Sequence, residues 1–268
     1  MGETRPSSAF QTDNIDPTKT AELVAMLDLY AKNTGVQRLR EWAHSGLLAG
    51  PGERAVDIGA GTGSETHVLA TAVRPGGEAI GVEPNDGLRD VATRRSGAAR
   101  FVHGDALALP FDDGSADVVW CERVFQYLAE PDQAATEIAR ILRPGGRVAL
   151  LDTDWGTAIL HPGETAVAEA VTRSPLAAAA NPRAGRKLSG QLAAAGLQID
   201  DVGSQAIIHD HATLNWPFVT MLAEVAVREG RVSSSQRDRF LADLRTGAEE
   251  QTLHMSVTTF AVLAHQPH

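Results

Sequence analysis

Val56-Asp57-Ile58-Gly59-Ala60-Gly61-Thr62-Gly63 reads as a short apolar strand that runs into a glycine-rich turn and opens a helix at Ser64. Glycines at alternating positions let the backbone turn tightly and approach a ligand with no Cβ in the way. The first turn of the helix offers unpaired N–H groups. The spacing is G-x-G-x-G, followed by Ser64 and Glu65. A dinucleotide fingerprint wants G-x-G-x-x-G beside a pyrophosphate, so a nicotinamide oxidoreductase is disfavoured. Asp57 puts a carboxylate at the turn, which would repel a pyrophosphate and could recruit an ammonium group. The plain alternative is a tight strand-to-helix turn with no ligand.

Outward from this turn, strands alternate with helices. Strands are expected over 54–58, 78–83, 99–103, 117–121 and 147–152, and helices over 64–73, 86–95 and 131–142. Pro75-Gly76-Gly77 and Pro144-Gly145-Gly146 mark turns before strands. Such alternation implies a parallel, doubly wound α/β sheet. Two helices precede it, over 18–32 and 36–48, behind a polar arm over 1–16. After Asp152 the pattern loosens. A loop with a short helix is expected over 153–182, then helix 183–195, strand 198–209, helices 213–228 and 234–250, and a last strand over 257–264. No clear linker interrupts the chain. One domain over 1–268 is expected: a helical cap (1–50), a cofactor-binding core (51–152) and a substrate-side lid with the last strands (153–268).

Two further acids sit where open α/β sheets bind ligands, at the C-terminal ends of successive strands. Glu83, next to Pro84, can accept both hydroxyls of a ribose. Asp105 can accept an adenine amino group, with the Ala106 N–H reaching a ring nitrogen. Taken singly, Glu83 reads equally as a solvated strand-end acid and Asp105 as an Asx-turn. All three acids together are far harder to place by chance.

With these residues in hand, the sequence resembles the class I S-adenosylmethionine-dependent methyltransferases, in the group related to ubiquinone/menaquinone and small-molecule methyltransferases. The resemblance covers residues 35–152 best. Its elements are VDIGAGTG (56–63), GVEP (81–84), GDALALPF (104–111) and the run DDGSADVVWCERVFQYLAEPDQAATEIARILRPGGRVALLD (112–152). It implies a seven-stranded Rossmann-like sheet with the last strand antiparallel, extra N-terminal helices and a helical insertion before that strand. It implies that Asp57 and the turn Gly59, Ala60, Gly61, Thr62, Gly63 hold the methionine part of S-adenosylmethionine, and of S-adenosylhomocysteine as product. It further implies Glu83 on the ribose, Asp105 with Ala106 on the adenine, and Cys121 and Glu122 beside the sulfonium, mainly through backbone.

Methyl transfer needs position and desolvation, and a hydroxyl nucleophile also needs a base. Candidates above the fourth and fifth strands are Gln126, Tyr127, Asp152, Asp154, Trp155 and His161, with Tyr30 from the leading helices. Many relatives place a histidine where Gln126 stands, and glutamine cannot act as a base. Asp152 and Asp154 are therefore the candidate catalytic carboxylates, each with hydrogen bonding within the loop as its alternative. No metal is expected, since His209-Asp210-His211 lacks a third placed ligand.

The chain of 268 residues carries 24 Lys+Arg against 34 Asp+Glu, a net charge of −10. This argues against broad nucleic-acid binding, although Arg183–Lys187 forms a local basic patch. The DNA-adenine enzymes' Asn/Asp-Pro-Pro-aromatic motif is absent after the fourth strand, where Trp120-Cys121-Glu122-Arg123 stands. The single cysteine, Cys121, excludes an intrachain disulfide framework. No apolar run approaches a membrane span, and no secretory or myristoylation signal is read at the N-terminus. The expectation is a cytoplasmic enzyme, monomer or homodimer, acting on a small molecule. Its Ala- and Arg-rich, Lys-poor composition suggests secondary metabolism. The rival readings are a quinone or lipid C-methyltransferase and a cofactor-binding regulator without transfer.

Overall fold

The computed structural model describes residues 20–174 and 179–268, and the arm expected over 1–16 lies outside the described residues. Seven strands form one sheet: β1 (Arg54–Ile58), β2 (Glu78–Val82), β3 (Arg100–Val102), β4 (Ala116–Glu122), β5 (Leu142–His161), β6 (Gln198–His209) and β7 (His254–His265). Their order is β3-β2-β1-β4-β5-β7-β6. The pairs β1–β2, β1–β4, β2–β3 and β4–β5 are parallel, and β7 is antiparallel to both β5 and β6. The expected seven-stranded Rossmann-like sheet with an antiparallel last strand is therefore present.

Alternation along the strands sorts the core onto two faces. Val56 and Ile58 of β1, Val119 and Cys121 of β4, and Val148 and Leu150 of β5 pack with Ile138 and Leu192. Those two residues lie on helices α5 (Pro131–Ile141) and α7 (Leu188–Ala194). Ala55, Val118, Trp120, Ala149 and Leu151 face the other way, against Leu39 and Leu69. These belong to α2 (Thr34–Leu47) and α3 (Ser64–Ala72). Asp57, between Val56 and Ile58, therefore points to the α2/α3 side. Helix α1 (Thr20–Ala31) precedes α2, and the turn between them is closed by Asn33, whose side chain accepts from Gly35 N at 2.8 Å. Helix α4 (Asp86–Arg95) is capped by Asn85.

The sequence reading needs correction beyond Asp152. There β5 does not end in a loop but continues to His161, hydrogen-bonded along β7 with a bulge between Asp154 and Ile159. The pairing partner holds this segment extended although Trp155-Gly156-Thr157 carries no clear strand alternation. The division expected at residue 152 thus falls inside a strand. Helices α6 (Thr165–Thr172), α8 (Trp216–Arg228) and α9 (Ser234–Glu249) follow. They enclose a separate cluster including Val171, Leu222, Phe240 and Leu244, to which the far ends of β5 and β7 add Leu160 and Met255. Helix α9 starts with a capping box between Ser233 and Gln236.

Candidate active site

The C-terminal ends of β1, β2, β3 and β4 open onto a cleft of about 280 Å³. In sheet order, it is lined by Gly104–Leu107 after β3, Glu83–Asn85 after β2, Asp57 and Gly59–Thr62 after β1, and Glu122–Val124 with Tyr127–Ala129 after β4. Leu27, Tyr30 and Arg40 of the leading helices close one side.

The glycine turn is held by β2. The N–H groups of Gly59 and Ala60 both donate to Val82 O, at 2.8 and 3.0 Å. Gly59, Gly61 and Gly63 have φ of +74°, +54° and +82°, the left-handed region that side chains disfavour. Glu83, 6% exposed, joins two loops. Its carboxylate accepts from Gly61 N at 2.8 Å and Asn85 N at 2.9 Å, one bond to each oxygen, so each oxygen keeps a lone pair. Burial pushes its pKa up, partly offset by those two N–H groups. Asp105 is exposed and its Oδ1 accepts from Leu107 N at 2.9 Å. It is thus an Asx-turn, with its second oxygen unbonded to protein among the described residues.

Asp57 is 3% exposed and lines the cleft. Its one side-chain partner among the described residues is Thr66, whose hydroxyl donates to Oδ2 at 2.5 Å. Burial lifts its pKa to about 7; the Thr66 bond and Arg40 oppose this, while Glu65 and Glu122 reinforce it. Beneath it lies a network the sequence reading missed. Arg40 pairs with Glu65 and with Glu122, each at 2.8 Å. His44 Nε2 meets Glu65 Oε2 at 2.7 Å and stacks on Trp120 with ring centres 4.2 Å apart. Burial works against the Glu65 carboxylate, but His44 and Arg40 together hold it below its usual range. These partners come from α2, α3 and β4, and only folding reveals them.

Cys121 is fully buried in the core and its side chain does not line the cleft, whereas Glu122 and Ala106 do. Tyr30 and Tyr127 line it as well. Three other candidates do not. Gln126 is buried, its Oε1 accepting from Trp155 Nε1 at 3.0 Å, so Gln126 and Trp155 bond to each other. Trp155 also packs on Phe218, 5.6 Å between ring centres. His161 is exposed at the end of β5, opposite His254.

The two candidate bases need the firmest correction. Asp152 is fully buried. Its Oδ2 accepts from Gln126 N at 3.0 Å and its Oδ1 from Thr153 N at 2.7 Å. It ties the end of β5 to the short 3₁₀ turn Phe125–Tyr127. Burial lifts its pKa to about 7, but it is absent from the cleft wall. Asp154 is ion-paired with Arg186 and accepts from Gly156 N at 2.8 Å. Neither of them lines the cleft. No described residue beyond Ala129 lines it, so the described part of 153–182 is not in the cleft wall. Asp152→Asn places an amide donor against a backbone N–H. The expected result is a loss of about 1–3 kcal/mol in denaturant-measured stability, with affinity for S-adenosylhomocysteine unchanged.

Residues 56–150 match the family model described as a methyltransferase domain. Over those residues the chain is similar to the methyltransferases, and the sheet order and glycine turn agree with that likeness. The chain is 39% identical over 124 residues to malonyl-[acyl-carrier protein] O-methyltransferase of Methylococcus capsulatus, covering 43% of this chain and 45% of that protein. It is 36% identical over 104 residues to demethylmenaquinone methyltransferase of Clavibacter sepedonicus, covering 38% and 41%. The chain thus spans less than half the length of these relatives. Among solved structures, phosphoethanolamine N-methyltransferase 2 of Haemonchus contortus in complex with S-adenosyl-L-methionine superposes with a TM-score of 0.57. The match has 15% identity and covers 97% of this chain and 59% of that one.

The chemistry of the cleft suits S-adenosylmethionine. Asp57 is a buried acid with no ion-pair partner among the described residues, an acceptor fit for an ammonium group. Glu83 keeps lone pairs for two hydroxyls. A Cβ at Gly61 would meet Leu27 Cδ1 at 3.3 Å, so the cleft wall is built around a bare backbone.

Proposed function

We propose that this protein transfers a methyl group from S-adenosylmethionine to a small-molecule acceptor. The observation that carries the reading is Asp57, Glu83 and Asp105 lining one cleft with the glycine turn. When bound, S-adenosylmethionine supplies a methyl already activated on a sulfonium. The protein's residues then hold, orient and desolvate. Asp57 would take the ammonium end, Glu83 the ribose, and Asp105 with the Ala106 N–H the adenine. Tyr30, Tyr127 and Leu128 would shield the acceptor side from water.

The other carboxylates in the cleft already have work: Glu122 and Glu65 hold Arg40, Glu83 holds two N–H groups, Asp105 closes its own turn. This favours an acceptor that is nucleophilic without a protein base, such as an amine, an electron-rich carbon or an oxygen already ionised. With a demethylmenaquinone methyltransferase among the relatives named above, a quinone acceptor is the nearest rival. The Ala- and Arg-rich composition keeps secondary metabolism as the setting we favour. Incubation with S-adenosylmethionine and a panel of amines, phenols, carboxylates and quinols, read by mass spectrometry, tests the proposal. A methyl gain with matching S-adenosylhomocysteine release supports it. Binding of S-adenosylhomocysteine with no methyl gain across the panel would favour a cofactor-dependent regulator.

Calorimetric titration tests the site itself. Glu83→Ala and Asp105→Ala should each weaken S-adenosylhomocysteine binding by about 1–3 kcal/mol. Glu83→Ala should be the worse, because it also releases Gly61 N and Asn85 N. Unchanged affinity in both folded variants would remove these residues from the site.

A further inference from the structure

Arg123, at the β4 end of the cleft, is a charge without a counterion among the described residues. It follows β4 directly, with φ of +58°, a region that costs a non-glycine residue on the order of 1–3 kcal/mol and concentrates at functional sites. Its backbone N–H donates to Leu151 O at 2.8 Å, which fixes where the side chain departs. The guanidinium lies 4.3 Å from the Tyr30 ring centre, an arrangement that sets its plane. Nη2 is 3.5 Å from the Tyr127 hydroxyl, at the limit of a hydrogen bond. Nε is buried and has no hydrogen-bond partner among the described residues. No carboxylate there lies within ion-pair distance of it, whereas Arg40 nearby is shared by Glu65 and Glu122. The negative charges that reach it do so only at longer range, from Glu122 and Asp152.

Arginine stays charged under all ordinary conditions, and a buried guanidinium left unpaired is costly. Its forked donors match a carboxylate or another planar oxyanion. Sheet order places it on the far side of the glycine turn from the adenine and ribose acids, directly after Glu122. The adenine and ribose acids follow β3 and β2, and the glycine turn follows β1, but Arg123 follows β4. Tyr30, Val124, Tyr127 and Leu128 beside it in the cleft wall are apolar or aromatic, and Glu122, which precedes it, is already paired with Arg40.

We propose that Arg123 anchors an anionic head group, a carboxylate or comparable oxyanion, on an otherwise apolar methyl acceptor. This rests on the methyl-transfer reading and narrows it. Arg123 here binds and positions; the nucleophile is another atom of the acceptor.

The test uses matched pairs of small carboxylic acids and their primary amides, aromatic and aliphatic, with benzoate and benzamide among them. Binding to the full chain saturated with S-adenosylhomocysteine is read by ligand-observed NMR. At least one carboxylate should bind about tenfold or more tightly than its amide. Arg123→Gln should bring that ratio close to one while S-adenosylhomocysteine affinity stays within twofold. Arg123→Lys should keep part of the preference. If no carboxylate is preferred over its amide in the unaltered protein, the proposal is overturned, and that result needs no variant to fold. It is equally overturned if Arg123→Gln loses S-adenosylhomocysteine affinity tenfold, because Arg123 then holds the cofactor's own carboxylate. Failure to bind S-adenosylhomocysteine at all would instead strike the methyltransferase reading.

Discussion

Raising the pH from about 4 to about 8 should destabilise the ligand-free protein through Asp57 by on the order of 4 kcal/mol, and Asp57→Asn should remove that share. The carboxyl is buried, and desolvation lifts its pKa from 3.8 to about 7. Below 3.8 it is protonated in both folded and unfolded chains, so its contribution is fully present. Between 3.8 and about 7 the unfolded chain loses the proton and the folded one keeps it, so stability falls as pH rises. Above about 7 both are ionised and the loss is complete; the displacement of the pKa converts to the figure given. Asp152 follows the same course, and Glu65, whose pKa is lowered, runs the other way. The decisive measurement is therefore the difference between denaturation curves of the unaltered protein and Asp57→Asn at several pH values. A difference that does not change with pH would show that Asp57 ionises normally. S-adenosylhomocysteine should reverse the sign. An ammonium beside Asp57 favours the carboxylate, so affinity should rise about tenfold from pH 6 to pH 8. In Asp57→Asn it should stay nearly flat.

The same residue shows what a sequence can and cannot convey. Asp57's place in the cleft wall is legible because everything that puts it there is local: a strand before it, three glycines after it, and a period of two that aims it off the sheet. Glu83 and Asp105 are legible for the same reason, as acids just past successive strands. Arg40 is not. Its partners Glu65 and Glu122 are 25 and 82 residues away, and in the sequence Arg40 is one more arginine on an amphipathic helix. Asp152 misled for a related reason. A strand-end acid beside the cofactor region and a strand-end acid that caps two backbone N–H groups have one signature. Only the position of Gln126 N, 26 residues upstream, separates them. Arg123 hides between Glu122 and Val124, because neither a positive φ nor the absence of a counterion among the described residues leaves a mark on composition. The extension of β5 to His161 escaped because β7, nearly 100 residues later, imposes it.

Gly63→Ala should cost on the order of 3 kcal/mol and lower the melting temperature by on the order of 10 °C. Two terms combine. Gly63 has φ of +82°, which an alanine occupies at a cost of about 1 kcal/mol or more. The added Cβ would also lie 2.7 Å from Phe101 Cζ and 3.1 Å from Ala92 Cβ, and crowding a packed site costs typically about 1–3 kcal/mol. Phe101 is in β3 and Ala92 is buried in α4, so both neighbours are held by their own elements. Two other glycines separate the terms. Gly52 has φ of +85° and an added methyl there would meet nothing within 4 Å, so Gly52→Ala should show the backbone cost alone. Gly97 has neither a positive φ nor a neighbour within 4 Å, so Gly97→Ala should be neutral or slightly stabilising, through the unfolded chain. The expected order of stability is Gly97→Ala above Gly52→Ala above Gly63→Ala. Equal losses at Gly52 and Gly63 would mean that β3 and α4 yield to the methyl, leaving only the backbone term. Because Gly63 also begins α3, accepting from His67 N at 3.0 Å and donating to Ala60 O at 2.8 Å, any shift that relieves the crowding moves the turn at Gly59–Thr62. Loss of S-adenosylhomocysteine affinity should therefore accompany the loss of stability in Gly63→Ala and be absent in the other two.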